Sequence, residues 1–500
     1  MEEKLQELKQ TMSTLSDLGH ALAVMGWDQE TYMPPGGLET RGNALATISK
    51  MAQEIGTDEK VGKLIEALEP WAADQDPDSD EARMIAVARR NYDQAVKVPP
   101  EMVAEQAILS SQANAAWREA RQKSDYSIFE PFMEKIVDYS QRFAELFKPY
   151  DHPYDVLLDL FEPKMKTEDV KKIFADIRPK QVKLIEAVAN ADQVDDSVLH
   201  KFYPKQAQLA MGEEVVKALG YDFNRGRQDA VTHPFMTNLG YGDARITYRV
   251  DENFFNSYLF AIMHEAGHAL YEQGIPKSLS RTSLYGAASL AIHESQSRLW
   301  ENLVGRSMPF LEWYYPKLQE RFPEQTKGVS LEAFYQAINK VEPSFIRVEA
   351  DEATYNLHIM LRLEIEIGLL EGTITPSELP QAWNDRFEQY LGIRPKNDAE
   401  GCLQDVHWSF GLFGYFSTYA LGNLVSAQLW EKINEDIPNL DDQIRTGKFD
   451  ELLGWLNKKV HAHGSKFFPQ DLVQRITGST INGDAYIKYL EEKFSGIYGL

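Results

Sequence analysis

The sequence predicts a mainly α-helical protein with a small β-sheet near its centre. One observation is an apolar stripe in residues 1–29, whose members recur every three or four positions, as on one face of a helix. The stripe consists of Leu5, Leu8, Met12, Leu15, Leu18 and Leu22. A second is that residues 244–250, "ARITYRV", alternate apolar and polar side chains, the one convincing strand pattern in the chain. A third is that no repeat, low-complexity tract or flexible linker interrupts the 500 residues, so we expect one domain, 1–500.

The N-terminal helix is expected to end at the helix-breaking residues 33–37, "MPPGG". A second helix should follow over about 38–55, so that the two form a hairpin. Residues 71–80, "WAADQDPDSD", are expected to form an acidic, solvated loop. Further helical patterns cover about 80–122, 128–148 and 167–190.

The composition limits the possible partners. The formal net charge of -24 leaves no basic excess to neutralise phosphates, which argues against a general nucleic-acid binder. The only cysteine, Cys402, excludes an intramolecular disulfide and fits a reducing compartment; we expect it to be a buried thiol rather than a nucleophile. The N-terminus has no signal-peptide pattern, and no apolar run approaches the roughly 20 residues that span a bilayer. We therefore expect a cytoplasmic protein without a membrane partner.

Two histidines and a glutamate stand together in residues 260–276, "FAIMHEAGHALYEQGIP". His264 and His268 are four residues apart, so on a helix they face the same side and can bind one metal ion. Glu265 lies roughly 100° round the helix from His264, where its carboxylate can take a proton from water instead of binding the metal. The pattern indicates a zinc-hydrolase centre; the alternative is an ordinary helix with two histidines. Gly267 should cost this helix about 1 kcal/mol relative to alanine, which suggests that another segment packs close to its backbone.

This helix is expected to cover residues 254–273. Gly274 is expected to end it as a left-handed cap, and Pro276 blocks its continuation.

A catalytic zinc needs a third protein ligand, and a carboxylate from a following helix is a common choice. Residues 289–305 read as a well-buried helix with Glu294 in a stretch of few charges. Because an isolated buried carboxylate is costly unless it is paired or metal-bound, we expect Glu294 to be the third ligand. Glu301 and Glu272 are rivals on spacing alone. His293 could ligate as well, but neighbouring residues on a helix point about 100° apart, so only one of the two faces the metal.

These motifs together resemble those of the metallocarboxypeptidases of the Taq carboxypeptidase type. In that family "HEAGH" (264–268) is followed after a gap by a motif like "HESQ" (293–296). Further matching motifs occur in the family's order: "WDQETYMPPGG" (27–37), "HPF" (233–235), "DARIT" (243–247), "IRVEAD" (346–351) and "GCLQDVHW" (401–408). The resemblance extends over essentially the full chain, and it is that of a bacterial member.

The resemblance implies a fold like that of neurolysin and angiotensin-converting enzyme, with a long central groove. An N-terminal helical lid would cover about residues 1–90 and a zinc-binding catalytic core about 230–425. It implies Zn²⁺ ligation by the three residues above, with Glu265 as general base and acid, and some members accept Co²⁺. The implied activity is release of C-terminal amino acids, one at a time and with broad preference, from peptides with a free C-terminus. Members are typically homodimers.

The reaction also needs a donor for the tetrahedral oxyanion besides the metal. Candidates are His407 and a tyrosine in residues 413–423, "FGYFSTYALGN", of which Tyr419 is the most plausible. Core packing is the alternative role for Tyr419. Asp405 is expected to orient His407 or a metal ligand, as carboxylates near such sites often do.

A carboxypeptidase must also hold a free α-carboxylate, and a guanidinium suits this because it can donate two parallel hydrogen bonds. Arg347 and Arg245 both lie inside family motifs, and the sequence does not choose between them. Each could instead belong to a structural ion pair, with Asp351 and Asp243 as nearby partners. His233 is expected to line the groove, although a histidine before proline is often a turn residue.

Two rival functions stay open. One is an oligopeptidase on the same scaffold, which would cut inside short peptides. The other is a non-enzymatic helical scaffold with a structural metal site, but such a site has no need of Glu265.

Overall fold

Twenty α-helices and one small sheet make up the structure, a computed structural model that describes residues 1–500. Four helices come first: α1 (Glu2–Thr31), α2 (Leu38–Gly56), α3 (Glu59–Ala73) and α4 (Asp80–Lys97). Five more precede the sheet: α5 (Pro100–Lys123), α6 (Glu130–Glu145), α7 (Pro153–Asp159), α8 (Thr167–Ala189) and α9 (Lys205–Ala218). None of the helices combines the length and apolar character needed to cross a bilayer.

The sheet consists of β1 (Gln228–Ala230), β2 (Met236–Asn238) and β3 (Ala244–Tyr248), with β3 in the middle. It pairs in parallel with β1 and antiparallel with β2. The strand predicted from the alternating pattern is therefore present, two residues shorter than expected. Thr247 is buried against the pattern because its hydroxyl donates to the carbonyl of Phe235 and accepts from the Phe235 N–H.

Eleven helices follow the sheet. They are α10 (Asn256–Gly274), α11 (Leu290–Arg298), α12 (Met308–Arg321), α13 (Leu331–Ile338), α14 (Tyr355–Glu371), α15 (Leu379–Leu391), α16 (Ser417–Asp436), α17 (Leu440–Arg445), α18 (Asp450–Lys459), α19 (Pro469–Thr477) and α20 (Asp484–Tyr498). A π-helical segment, Leu299–Val304, continues α11. The prediction of a mainly helical fold with a small central sheet is confirmed.

Two predictions about helix ends were wrong. The single helix expected over 80–122 is two helices, α4 and α5, which separate at Pro99 and Pro100. Proline lacks the N–H that a helix interior needs, and it favours extended backbone in the residue before it, so Val98 leaves the helix with ψ near 114°. Gly274 is the last residue of α10 and has no left-handed conformation. It is a glycine position because a Cβ would collide with Asn457 and His461.

The chain buries its apolar side chains in one large core that extends from α4 to α20. A second, small core joins α1, α3 and α4, and it consists of Leu8, Val61, Ile65, Leu68, Ile85 and Ala88. Helix α2 contributes no buried residue at all. The N-terminal helices therefore have an apolar core of their own.

Helix α11 lies between α10 and α16, and a glycine on each neighbour lets it approach. A Cβ on Gly267 of α10 would lie 2.7 Å from the carbonyl oxygen of Gln296 and from the Cα of Ser297. A Cβ on Gly422 of α16 would lie 2.6 Å from the Cγ of Glu294. The expectation that a segment packs against the backbone at Gly267 is thus confirmed.

We predict that Gly267→Ala destabilises the fold by about 1–3 kcal/mol, because the new methyl group meets backbone atoms that cannot rotate away. The measurement is the free energy of unfolding from denaturant titration. Gly454→Ala in α18 is the matched control, since no atom lies within 4 Å of its Cβ position. That control should stabilise the protein by about 0.5–1 kcal/mol; equal effects of the two substitutions would contradict the packing argument.

Candidate active site

Three side chains from two helices converge on one point. The ligand atoms of His264, His268 and Glu294 all lie within 4.8 Å of one another. Glu294 Oε2 is 3.5 Å from His264 Nε2 and 3.3 Å from His268 Nε2. Two imidazoles and one carboxylate are the donor set that suits a catalytic zinc, whereas calcium and magnesium prefer oxygen alone. The side chains present therefore fit a transition-metal ion.

The second nitrogen of each histidine is occupied, which leaves both Nε2 atoms facing the common point. His264 Nδ1 donates to Glu301 Oε2 at 2.8 Å. His268 Nδ1 lies against His293 Nδ1, and His293 Nε2 is 3.0 Å from Glu272 Oε1. Glu301, Glu272 and His293, the other possible ligands, thus lie behind the two histidines. There they fix the orientation of the imidazole rings.

Glu294 is held from the side by Arg298, one helical turn further on. Arg298 Nε donates to Glu294 Oε1 at 2.7 Å, and its NH1 group donates to Glu301 Oε2 at 3.2 Å. Burial alone would raise the pKa of Glu294, but Arg298 and His264 hold it well below its usual range. Burial likewise opposes ionisation of Glu301, yet Arg298 and His264 lower its pKa to about 2. Both carboxylates are therefore ionised, and two arginines face them, since the Arg306 NH2 group lies 3.7 Å from Glu301 Oε1.

The two carboxylates also act on His264. Burial alone would lower its pKa, but Glu294 and Glu301 raise the pKa of His264 to about 10. The cluster therefore favours a positive charge at this point, as a metal-binding site must.

Glu265 is buried on α10 beside the two histidines, and it accepts no hydrogen bond from another side chain. Burial raises the pKa of its carboxyl to about 7 despite the nearby His264. A carboxyl that titrates near neutral pH can both accept and return a proton under ordinary conditions.

The structure also brings His407 and Tyr419 together, with His407 Nε2 3.3 Å from the Tyr419 hydroxyl. Tyr419 lies on α16 three residues before Gly422, which touches Glu294. Residues three apart share one face of a helix, so Tyr419 lies on the face of α16 towards the metal cluster. Burial lowers the pKa of His407 to about 4, so its imidazole is neutral.

Arg347 is buried in an ion pair, but not with the partner expected from spacing. Its Nε and NH2 groups donate to Asp405 Oδ1 at 3.1 and 2.8 Å, and its NH1 group donates to the Tyr355 hydroxyl at 2.9 Å. Asp351 instead accepts the backbone N–H groups of Ala353 and Thr354. The ion pair of Arg347 therefore spans 58 residues of sequence.

Asp405 does not orient His407 as expected. Its Oδ1 lies 3.9 Å from His407 Nδ1, and that nitrogen has no hydrogen-bond partner. Its Oδ2 accepts from Arg362 Nε at 2.7 Å, so one carboxylate serves two arginines, Arg347 and Arg362. The ion cluster therefore has a surplus of positive charge.

Neither of the remaining two candidates bonds to the metal cluster. Arg245 donates through Nε and NH2 to Asp243 at 2.8 and 2.7 Å, as its spacing suggested, and its guanidinium lies 4.2 Å from the centre of the Trp27 ring. His233 is exposed in the turn between β1 and β2.

Sequence reasoning did not find Arg298, Tyr355 or Tyr415. Arg298 could have been found, because its spacing of four from Glu294 and three from Glu301 is that of helix ion pairs. Tyr355 connects two arginines, since it accepts from Arg347 and packs 4.3 Å below the guanidinium of Arg298. The Tyr415 ring packs on His407, with 5.2 Å between the ring centres. Nothing in the local sequence distinguishes these two tyrosines from core residues.

Comparison with known proteins assigns the chain to a family. The chain matches the model of the carboxypeptidase Taq (M32) metallopeptidases over residues 7–494, and it belongs to that family. It is 41% identical to carboxypeptidase 1 of Bacillus subtilis, with 99% of this chain and 98% of the relative covered. It is 40% identical to thermostable carboxypeptidase 1 of Thermus thermophilus, with 99% of both covered.

Among solved structures, the M32 carboxypeptidase from Deinococcus radiodurans R1 superposes with a TM-score of 0.97. The two are 40% identical, and the match covers 100% of each chain. The protein is thus a metallocarboxypeptidase, an enzyme that acts on peptides, and the resemblance drawn from its motifs is confirmed. Family membership also removes the non-enzymatic scaffold from consideration.

We predict that Glu301→Ala weakens metal binding by about tenfold, because His264 loses the acceptor that fixes its ring. The dissociation constant for Zn²⁺ can be measured by competition with a chromogenic chelator. Glu320→Ala, at an exposed position on α12, is the control and should leave the constant unchanged. Unchanged affinity in Glu301→Ala would contradict the orienting role.

Proposed function

We propose that this enzyme is a zinc carboxypeptidase whose metal ligands are His264, His268 and Glu294. The observation that carries the proposal is the convergence of three ligand atoms within 4.8 Å of one another. When bound, such an ion supplies Lewis-acid activation of water and of the scissile carbonyl. Co²⁺ is proposed as a substitute, because imidazole and carboxylate donors suit divalent transition metals in general.

Glu265 is proposed as the general base and acid. It takes a proton from the attacking water and later gives it to the leaving amine, a role that its position beside the two histidines allows. Its buried position keeps the carboxyl from being fully solvated, and it leaves metal binding to the other three side chains.

We predict that Glu265→Gln lowers kcat by about 10²–10⁴-fold, since glutamine cannot take up the proton. Metal content, measured by atomic emission, should stay within error of the wild type because Glu265 is not a ligand. Glu320→Gln is the matched control on the surface. Turnover that survives in Glu265→Gln at the wild-type rate would disprove this mechanism.

Tyr419 and His407 are proposed as oxyanion donors. The supporting observation is that their polar atoms meet at 3.3 Å on the side of α16 that faces Glu294. A tyrosine hydroxyl and the N–H of a neutral imidazole both donate hydrogen bonds without bringing a full charge. Donors held in place before the reaction stabilise the developing negative charge without reorganisation.

Arg347 is proposed to hold the substrate α-carboxylate. Three of its five N–H groups bond to Asp405 and Tyr355, which leaves one on NH1 and one on NH2 for a ligand. The surplus charge shared by Arg347, Arg362 and Asp405 favours an anion nearby. Arg245 is the weaker choice, because Asp243 alone balances its charge and leaves no surplus to attract a carboxylate.

The carboxypeptidase and the oligopeptidase are distinguished by their products. We predict that the enzyme releases free amino acids one at a time from N-blocked peptides, and that the same peptides with a C-terminal amide are cleaved at least about tenfold more slowly. The reason is that an amide loses the charge-assisted hydrogen bonds to a guanidinium, each worth roughly 1.5–3 kcal/mol. A chromatographic time course provides the measurement. Equal cleavage of acid and amide at an internal bond would favour the oligopeptidase.

The N-terminal helices, about residues 1–90, are proposed as a lid over a long groove like that of neurolysin and angiotensin-converting enzyme. Helix α1 contacts the rest of the protein through polar and aromatic groups and through Leu5, which packs on the large core. Arg281 donates twice to Asp17, at 2.9 and 2.6 Å, and Trp27 lies between Arg245 and Arg227. Such contacts, added to a separate small core, suit a unit that moves as a whole.

The catalytic core is proposed to cover about residues 230–425, with His233 in the groove wall. A homodimer is proposed on the resemblance to family members. A cytoplasmic location is proposed because the single, buried Cys402 requires no oxidising compartment.

A further inference from the structure

The segment 159–165, between α7 and α8, covers the N-terminus of α11. The backbone N–H of Leu290 donates to the carbonyl of Phe161 at 3.1 Å. The next N–H, of Ala291, donates to Glu162 Oε1 at 2.5 Å. Helix α11 thus receives two of its N-terminal acceptors from a distant part of the chain.

Helix α11 needs these acceptors because its own cap is insufficient. The Ser289 hydroxyl accepts only the N–H of Ile292, at 3.1 Å, and the first N–H groups of a helix have no partner inside it. Ser289, Ala291 and Ile292 are buried at this helix start, so water has little access to their N–H groups, and an unpaired buried N–H is costly.

Glu162 is an unusual choice for this task. It is 0% exposed, no basic side chain bonds to it, and its Oε2 has no hydrogen-bond partner. Burial raises the pKa of its carboxyl to about 8. A smaller neutral side chain could accept the Ala291 N–H without burying a second oxygen, but it would be shorter. We therefore infer that the length of the glutamate side chain is what matters at this position.

The segment 159–165 is itself held in place by Asp159 and Phe161. Asp159 Oδ2 accepts from Arg90 at 2.8 Å and from Gln94 at 2.7 Å, both on α4. The Phe161 ring packs edge-on against Tyr415, with 5.1 Å between the ring centres. The segment that supports α11 is therefore tied to α4, and it also touches the aromatic cluster that surrounds His407.

Position along the helix axis matters for Glu294. Gly267 and Gly422 set the distance of α11 from its two neighbours, but these two contacts by themselves do not prevent sliding along the axis. Each residue along a helix rises 1.5 Å, so even a shift of about 1 Å would take the carboxylate out of bonding geometry. The hydrogen bonds at the N-terminus act along the axis and limit that sliding.

We propose that Glu162 is a positioning residue for the metal centre, which holds α11 at the axial position where the Glu294 carboxylate meets His264 and His268. It acts as a hydrogen-bond acceptor of fixed length and never touches the metal or the substrate. The inference rests on the proposed role of Glu294 as a ligand.

The test compares metal binding in Glu162→Ala, Glu162→Gln and Asp155→Ala. Asp155 is the matched control, because this buried acid accepts from the N–H and hydroxyl of Thr167 at the start of α8, a helix without metal ligands. Each full-length variant is titrated with Zn²⁺ against a chelator and with Co²⁺, whose visible absorption reports the geometry of its ligands. Activity is not used as a readout.

We expect Glu162→Ala to weaken Zn²⁺ binding by about tenfold and to alter the Co²⁺ spectrum, as loss of a supporting residue does elsewhere. Glu162→Gln keeps the Oε1 acceptor and should stay within about threefold of the wild type. If Glu162→Ala does not fold, Glu162→Asp replaces it, since it withdraws the acceptor by one methylene. The proposal is wrong if Glu162→Ala and Asp155→Ala bind Zn²⁺ with equal affinity. It is also wrong if Glu162→Ala and Glu162→Gln lose the same amount of Zn²⁺ affinity.

Glu294→Gln separates this inference from the proposed function. If Glu294→Gln binds Zn²⁺ as the wild type does, the ligand assignment itself is wrong. If it loses Zn²⁺ while Glu162→Ala keeps wild-type affinity and spectrum, the ligand assignment stands and only the positioning role of Glu162 fails.

Discussion

The contact of α11 with both α10 and α16 is the constraint on which the site depends. Glu294 reaches the two histidines only because Gly267 and Gly422 present no Cβ where α11 passes. Either methyl group would push the helices apart by more than the tolerance of a metal–ligand bond, which is a few tenths of an ångström. The two glycines therefore lower the stability of their own helices but allow α11 to pack closer to them. The geometry of the proposed metal site depends on that close packing.

Much of the fold and part of the site could be predicted from the sequence. Helical periodicity and the alternating strand are local patterns, and the spacing of His264 and His268 fixes their common face. Strands β1 and β2 were missed because three residues are too few to display a period. Glu294 and Glu301 were hard to separate because seven residues are almost two full turns, so both point to the same side of a helix.

Long-range pairing accounts for the rest. Arg347 and Asp405 are 58 residues apart, and no local pattern connects them, so the nearer Asp351 was the natural guess. The break at Pro99 was visible in the sequence, yet a continuous apolar pattern on both sides hid it. Family motifs supplied the candidate residues, whereas only the structure gave their partners. Those partners decide whether Arg245 and Arg347 have free donors.

The two ways in which helices attach to this protein have different consequences. Helices α10, α11 and α16 meet inside the large core, where separation would expose many apolar side chains and cost far more than the total stability of about 5–15 kcal/mol allows. Helix α1 packs only the partly buried Leu5 on the large core, and it relies on the exposed Asp17–Arg281 ion pair, worth about 0–1 kcal/mol, and on the contact of the buried Trp27 with Arg245, worth up to about 2 kcal/mol. We therefore expect α1 to separate from the rest of the protein at a smaller cost than the helices that hold the metal centre. Access to the groove and assembly of the catalytic site would then be controlled by separate sets of contacts.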